Sequence, residues 1–187
     1  MAGEGPSGRL VLVVGPSGAG KDAVMSGAKA RLADDPDMRF PKRMVTRAVS
    51  GSEDHDSCDA ATFARLASDG AFVLTWEAHG LSYGLPASIL NMVHQGKTVV
   101  MNGSRTVIAA ARAIVPTVAV EITAPAEVLA ARIAARGRAS DGGADGRLKR
   151  SEEIGPVAAC DVVIDNSGTL RDAIDRFVAV LRADRVA

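Results

Sequence analysis

Aromatic side chains are scarce in this chain: one Trp, one Tyr and four Phe make up 3% of 187 residues. An interior built on stacked rings is excluded. With 47% hydrophobic residues a sizeable core must instead be packed from Ala, Val, Ile and Leu. Net charge is absent too, with 22 basic residues against 22 acidic ones. That balance argues against a general nucleic-acid or membrane-surface binder, which needs a standing positive field. Cysteine is limited to Cys58 and Cys160, far apart and without metal-ligand spacing, so both read as free thiols in a reducing compartment. No apolar run approaches the roughly 20 residues of a membrane-spanning helix. Met1–Gly8 lacks the charged and apolar segments of a secretion signal. A cytoplasmic location is expected, as is a single domain over residues 1–187.

What is present is an alternation of apolar β-rich runs with Ala-rich stretches, the pattern of an α/β fold with a central parallel sheet and helices on both faces. Strands are expected at Leu10–Val14, Phe72–Trp76, Thr98–Met101, Thr117–Ile122 and Val162–Ile164. Their continuous apolarity implies burial on both faces. Helices are expected at Asp22–Leu32, Ala60–Ser68, Pro86–Gln95, Thr106–Ile114, Pro125–Arg136, Arg147–Glu153 and Leu170–Arg182. Pro86 and Pro125 suit a first helical turn, and Asn166 or Ser167 suits a cap for the last helix.

The chemistry centres on Gly15-Pro16-Ser17-Gly18-Ala19-Gly20-Lys21-Asp22, directly after the first strand. It satisfies G-x-x-x-x-G-K, the phosphate-binding loop, in every position but the last. The glycines let backbone N–H groups turn inward to cradle anionic oxygens. Lys21 adds a point charge where a helix begins. Asp22 stands where Ser or Thr usually binds Mg²⁺. A carboxylate is also a hard oxygen ligand, directly or through a bound water, so Asp22 is the candidate metal residue.

Two polar stretches interrupt the alternation, Ala48–Asp59 and Gly137–Gly146. In the first, Glu53-Asp54-His55-Asp56 reads as a solvated acidic loop rather than a metal site, because no helical or turn spacing aligns the ligands. In the second, Arg132, Arg136 and Arg138 precede a Gly-rich hinge, and Arg147 and Arg150 follow it. Beside a phosphate loop, this pattern reads as an arginine lid over transferring phosphates, hinged at about residues 137–146.

With these motifs the chain resembles the guanylate kinase family of P-loop kinases over nearly its whole length. Val45-Thr46-Arg47 is similar to the family's Thr-Thr-Arg acceptor-phosphate motif. Trp76-Glu77-Ala78-His79-Gly80-Leu81-Ser82-Tyr83-Gly84 is similar to its Glu-x-His-Gly-x-x-Tyr-Gly hairpin, and Asp161–Asn166 to its closing strand and the turn beside adenine. The resemblance implies an acceptor-binding insertion at about residues 40–85. It assigns Gly15 to Asp22 and Asn166 to ATP, with Lys21, Arg136 and Arg147 as catalytic groups. Arg47 and Tyr83 would hold an acceptor phosphate, with Arg43, Ser104 and Arg105 as further contacts. Asn102 stands where a carboxylate is common at a strand end.

The departures matter as much. Three places that read the guanine edge in guanylate kinases hold Arg43, Leu74 and Ser104 here, and a leucine cannot accept from guanine N–H groups. Two phosphate contacts of that family are replaced by Ser50 and Asp59. Gly20-Lys21-Asp22, the Glu53–Asp56 run, the Trp76–Gly80 hairpin and Asn102-Gly103-Ser104-Arg105 resemble a narrower family, the ribose 1,5-bisphosphate phosphokinases of bacterial phosphonate use. That resemblance implies phosphorylation of ribose 1,5-bisphosphate to 5-phospho-α-D-ribose 1-diphosphate by ATP with Mg²⁺. It implies a small phosphorylated sugar as partner, and neither nucleic acid nor membrane. The alternatives are a guanylate kinase acting on GMP and a non-catalytic interaction module of the same fold.

Overall fold

The computed structural model describes residues 8–47, 55–136 and 160–183. Along the chain run β1 (Arg9–Val14), α1 (Lys21–Arg31), β2 (Met38–Arg39), β3 (Arg43–Val45), β4 (His55–Ser57), α2 (Ala60–Ser68), β5 (Phe72–Ala78) and β6 (Leu81–Pro86). There follow α3 (Ser88–His94), β7 (Thr98–Asn102), a 3₁₀ turn at Arg105–Val107, α4 (Ile108–Ile114), β8 (Thr117–Thr123), α5 (Ala126–Arg136), β9 (Val162–Asp165) and α6 (Leu170–Arg182).

A five-stranded parallel sheet in the order β2-β7-β1-β8-β9 forms the base. β1 is buried at every residue, and its side chains alternate between two cores as a strand requires. Val11 and Val13 pack with Val24 and Ala28 of α1 and Phe177 of α6. Leu10 and Leu12 pack with Leu85, Ile89 and Ile108 on the other face. The register sets Val13 beside Asn102 and Val14 beside Glu121, so the carboxyl ends of β7, β1 and β8 come level. In open parallel sheets ligands bind at that end, where the strand order reverses, and here the reversal falls at β1.

A second sheet of four strands, β4-β3-β6-β5, stands on residues 43–86. It corrects one expectation: Phe72–Trp76 belongs to this sheet, paired antiparallel with β6, and is only partly buried. The tip of the β5–β6 hairpin is His79-Gly80, with φ of 54° and 73°. Two successive positive φ values match the twist of a tight two-residue hairpin.

Pro86 closes β6 rather than opening a helix, and α3 begins at Ser88. Thr169, not Asn166 or Ser167, caps α6 by accepting from the Asp172 N–H. The lid stretch 137–146, Arg147 and the helix expected at Arg147–Glu153 lie outside the described residues.

Candidate active site

The chain leaves β1 through Gly15, whose φ is 135°. A Cβ there would sit 2.0 Å from the Ile122 carbonyl oxygen, so loop and β8 approach too closely for any other residue. Gly18 and Gly20 also take positive φ, and α1 starts at Lys21. The result is a glycine-rich loop running into a helix N-terminus, an arrangement whose backbone N–H groups and helix dipole suit an anion. Lys21 Nζ donates to the Gly15 and Pro16 carbonyl oxygens at 2.8 and 2.9 Å, folding its ammonium over the loop. Gly15 to Asp22 are thus brought together in one turn that runs into α1.

Asn166 turns its side chain to the phosphate loop. It is 3% exposed and its Nδ2 donates to the Ala19 carbonyl at 2.8 Å, behind the loop. Arg132, grouped with the lid in the sequence, instead donates through NH2 to the Asn166 carbonyl at 2.8 Å. Arg136 ends α5.

In front of the loop a continuous line of groups crosses from the first sheet to the second. Asn102 Nδ2 donates to Asp22 Oδ1 at 3.0 Å, and Arg43 NH1 donates to Asn102 Oδ1 at 2.9 Å. The Arg43 guanidinium lies 5.2 Å from the centre of the Tyr83 ring, a cation–π contact. Tyr83 in turn stacks on Trp76 at 5.2 Å with planes 7° apart. Burial pulls Arg43 below its ordinary pKa range, while Asp22 and Tyr83 act in the opposite sense. Asp22, Arg43 and Asn102 line a cavity that also takes in Ser26, Lys29 and Phe40.

Arg47 follows β3, whose end is pinned to β6: Thr46 N donates to the Ser82 carbonyl at 3.0 Å, and Ser82 N donates to Thr46 Oγ1 at 2.8 Å. Arg43 and His55 are register partners on β3 and β4. His55 is 3% exposed, which corrects the reading of its segment as wholly solvated; Asp56 beside it is exposed. Burial, then Arg47 and Arg43, hold its imidazole below the ordinary histidine range.

The expected acceptor contacts Ser104 and Arg105 each have a partner within the fold. Ser104 caps the 3₁₀ turn by accepting from Thr106 N. Arg105 forms an ion pair with Glu121, which is buried inside β8. Sequence reading missed Glu121, although a lone Glu in the run Val118-Ala119-Val120-Glu121-Ile122 is the signal for a buried charge that must have a partner. Burial, and then Glu121, push the neighbouring Cys160 thiol up, so it stays neutral. Both cysteines are free.

Of the places that would read guanine, Leu74 packs against the β1–β7 core and Ser104 is the cap just described. Neither offers a carboxylate.

The donor set has the chemistry of a hard divalent cation. One Asp22 carboxylate oxygen is held by Asn102, and the other takes no hydrogen bond from the described residues. Small hard cations bind in this way, through one or two carboxylates with phosphates and water completing the shell. Among the described residues there is no His, Cys, Asp and Glu cluster able to hold a metal without such help.

The chain is 52% identical over 177 residues to a ribose 1,5-bisphosphate phosphokinase PhnN of Methylobacterium radiotolerans, spanning 94% of this chain and 98% of that one. It belongs to the ribose 1,5-bisphosphate phosphokinase family. A second member, from Bradyrhizobium diazoefficiens, is 49% identical over 176 residues, covering 94% of this chain and 88% of the relative. Among solved structures, a guanylate kinase from Anaplasma phagocytophilum superposes with a TM-score of 0.71 at 22% identity, over 98% of this chain and 89% of that one. At that identity the likeness shows the fold alone, which is the P-loop kinase fold. No protein-family model matches the chain.

Proposed function

We propose that the protein transfers the γ-phosphoryl group of ATP to ribose 1,5-bisphosphate, giving ADP and 5-phospho-α-D-ribose 1-diphosphate. The observation that carries this reading is the Asp22–Asn102–Arg43 line, which joins a complete phosphate loop to a cationic seat without guanine-reading carboxylates. Both relatives above carry the name of that activity.

An oxygen of the acceptor's 1-phosphate forms the new bond to the γ-phosphorus, as the bond to the β–γ bridging oxygen breaks and its electron pair leaves on ADP. The attacking phosphate is already anionic near neutral pH, so no general base is required. Catalysis then rests on positioning and charge stabilisation. Lys21 and the loop N–H groups hold the ATP phosphates. Asp22 would hold Mg²⁺, with Asn102 orienting that carboxylate, and the ion would supply charge neutralisation to the ATP phosphates. Arg43, Arg47 and Tyr83 hold the phosphorylated sugar, while Ser104 and Arg105 shape the rim. Arg136 and Arg147 are assigned to the transferring group on the family resemblance.

The second sheet works with the first as one domain, since Leu85 of β6 shares a core with Leu10 and Leu12 of β1. Neither nucleic acid nor membrane is proposed as a partner. Among the described residues no helix is long and apolar enough to cross a membrane, and a cytoplasmic location fits substrates of this kind.

Phosphorus NMR of ribose 1,5-bisphosphate incubated with ATP, Mg²⁺ and the protein tests the reaction. Paired diphosphate resonances should grow as the 1-phosphate resonance disappears. Hydrolysis of ATP alone, with the acceptor unchanged, would overturn the proposal.

A further inference from the structure

In P-loop enzymes the metal is commonly held by a Ser or Thr hydroxyl beside the loop lysine and by an Asp at the end of a neighbouring strand. This chain carries the two chemistries the other way round, with Asp22 after Lys21 and Asn102 at the end of β7. The two side chains touch: Asn102 Nδ2 donates to Asp22 Oδ1 at 3.0 Å while Asn102 Oδ1 accepts from Arg43 at 2.9 Å. Of the ordinary side chains, only an amide combines an N–H donor for a carboxylate with a carbonyl acceptor for a guanidinium.

A carboxylate at 102 would face Asp22 across the 3.0 Å now spanned by the hydrogen bond, a like-charge contact that disfavours ionisation of both. A hydroxyl at 22 with Asn102 retained would leave neither position with a carboxylate. The identities at 22 and 102 therefore depend on each other.

We propose that Asp22 and Asn102 are a charge-exchanged pair: the single carboxylate has moved from the strand end to the phosphate loop, and Asn102 is the positioning residue that aims it. Through Arg43 the same amide ties the carboxylate to the acceptor seat. The metal role of the pair rests on the kinase reading above.

The test is a cycle of four full-length proteins: the unaltered chain, Asp22→Ser, Asn102→Asp and the double variant. Calorimetry gives the ratio of ATP affinities with and without Mg²⁺. Asp22→Ser should lower that enhancement by about 10-fold or more, and adding Asn102→Asp should recover at least about threefold of it. Thermal unfolding of the metal-free, nucleotide-free proteins gives an independent readout. The effect of Asn102→Asp on Tm should be more unfavourable by about 3 °C or more when Asp22 is present than when Asp22→Ser accompanies it. A double variant that binds MgATP no better than Asp22→Ser, with additive Tm changes, would overturn the pair while leaving the kinase reading intact. Loss of any Mg²⁺ enhancement in the unaltered protein would overturn the kinase reading and the metal role of the pair together.

Discussion

Asn166 and Ala19 are bound to each other across 147 residues of sequence: the buried Asn166 amide donates to the Ala19 carbonyl at 2.8 Å. A Cβ on Gly20 would lie 2.5 Å from that same amide nitrogen. The strand-to-helix turn after β9 thus braces the phosphate loop from behind, and Arg132 fixes the brace by donating to the Asn166 carbonyl. These contacts hold the shape of the loop, the kind of preorganisation that phosphoryl transfer relies on.

Asn166→Ala should therefore act on both stability and nucleotide affinity. Losing a buried hydrogen bond and leaving the Ala19 carbonyl without it costs about 1–3 kcal/mol. ATP affinity should fall by roughly 10-fold, about 1.4 kcal/mol, as the loop loosens. Urea unfolding and calorimetry on the same protein check the pair of effects; unchanged ATP affinity would remove the brace from the account.

Lys21→Ala should reduce turnover by about 10²-fold or more with the fold intact, because it withdraws charge stabilisation from the transition state. The measurement is steady-state kcat beside a circular dichroism melt. A folded variant with near-normal kcat would contradict the role given to Lys21.

Glu121→Ala leaves the Arg105 guanidinium without its carboxylate in a half-buried site, and should destabilise by about 3–5 kcal/mol. Replacing both partners, Glu121→Leu with Arg105→Met, should recover most of that loss in denaturant unfolding. If Arg105 instead contacted the acceptor directly, the double variant would keep its stability and show a raised KM for ribose 1,5-bisphosphate.

His55 gives a pH dependence with a definite sign. Burial, with Arg47 and Arg43 close by, holds its folded pKa below the ordinary value of 6.5. As pH falls through that value the unfolded chain takes a proton that the folded chain resists, so stability is lost on acidification. His55→Gln should flatten the fall in unfolding midpoint between about pH 6.5 and 5, the range just below the ordinary histidine pKa. Parallel curves for the two proteins would show that His55 does not titrate in this way.

The parts legible in the sequence are those whose cause is local. The phosphate loop follows from glycine spacing and Lys21, and the parallel sheet from apolar runs that alternate with helical stretches. What escaped depends on distant neighbours. Glu121 sits in an apolar strand and finds Arg105 sixteen positions away through a turn no pattern marks. His55 lies among acidic neighbours that read as solvated, yet pairing of β4 with β3 buries it. The family resemblance assigns Asn166 to ATP; the direction of its side chain, toward Ala19, is set by packing that no local pattern marks.

The central claim is the acceptor. With Leu74 packed against the β1–β7 core and Ser104 capping a turn, guanine would leave two or three hydrogen-bonding groups unpaired, on the order of 4 kcal/mol. Steady-state kinetics with both acceptors and the unaltered enzyme measure this directly. Ribose 1,5-bisphosphate should exceed GMP in kcat/KM by about 10³-fold or more, the ratio that 4 kcal/mol corresponds to. Efficient phosphorylation of GMP, with none of ribose 1,5-bisphosphate, would contradict the assignment.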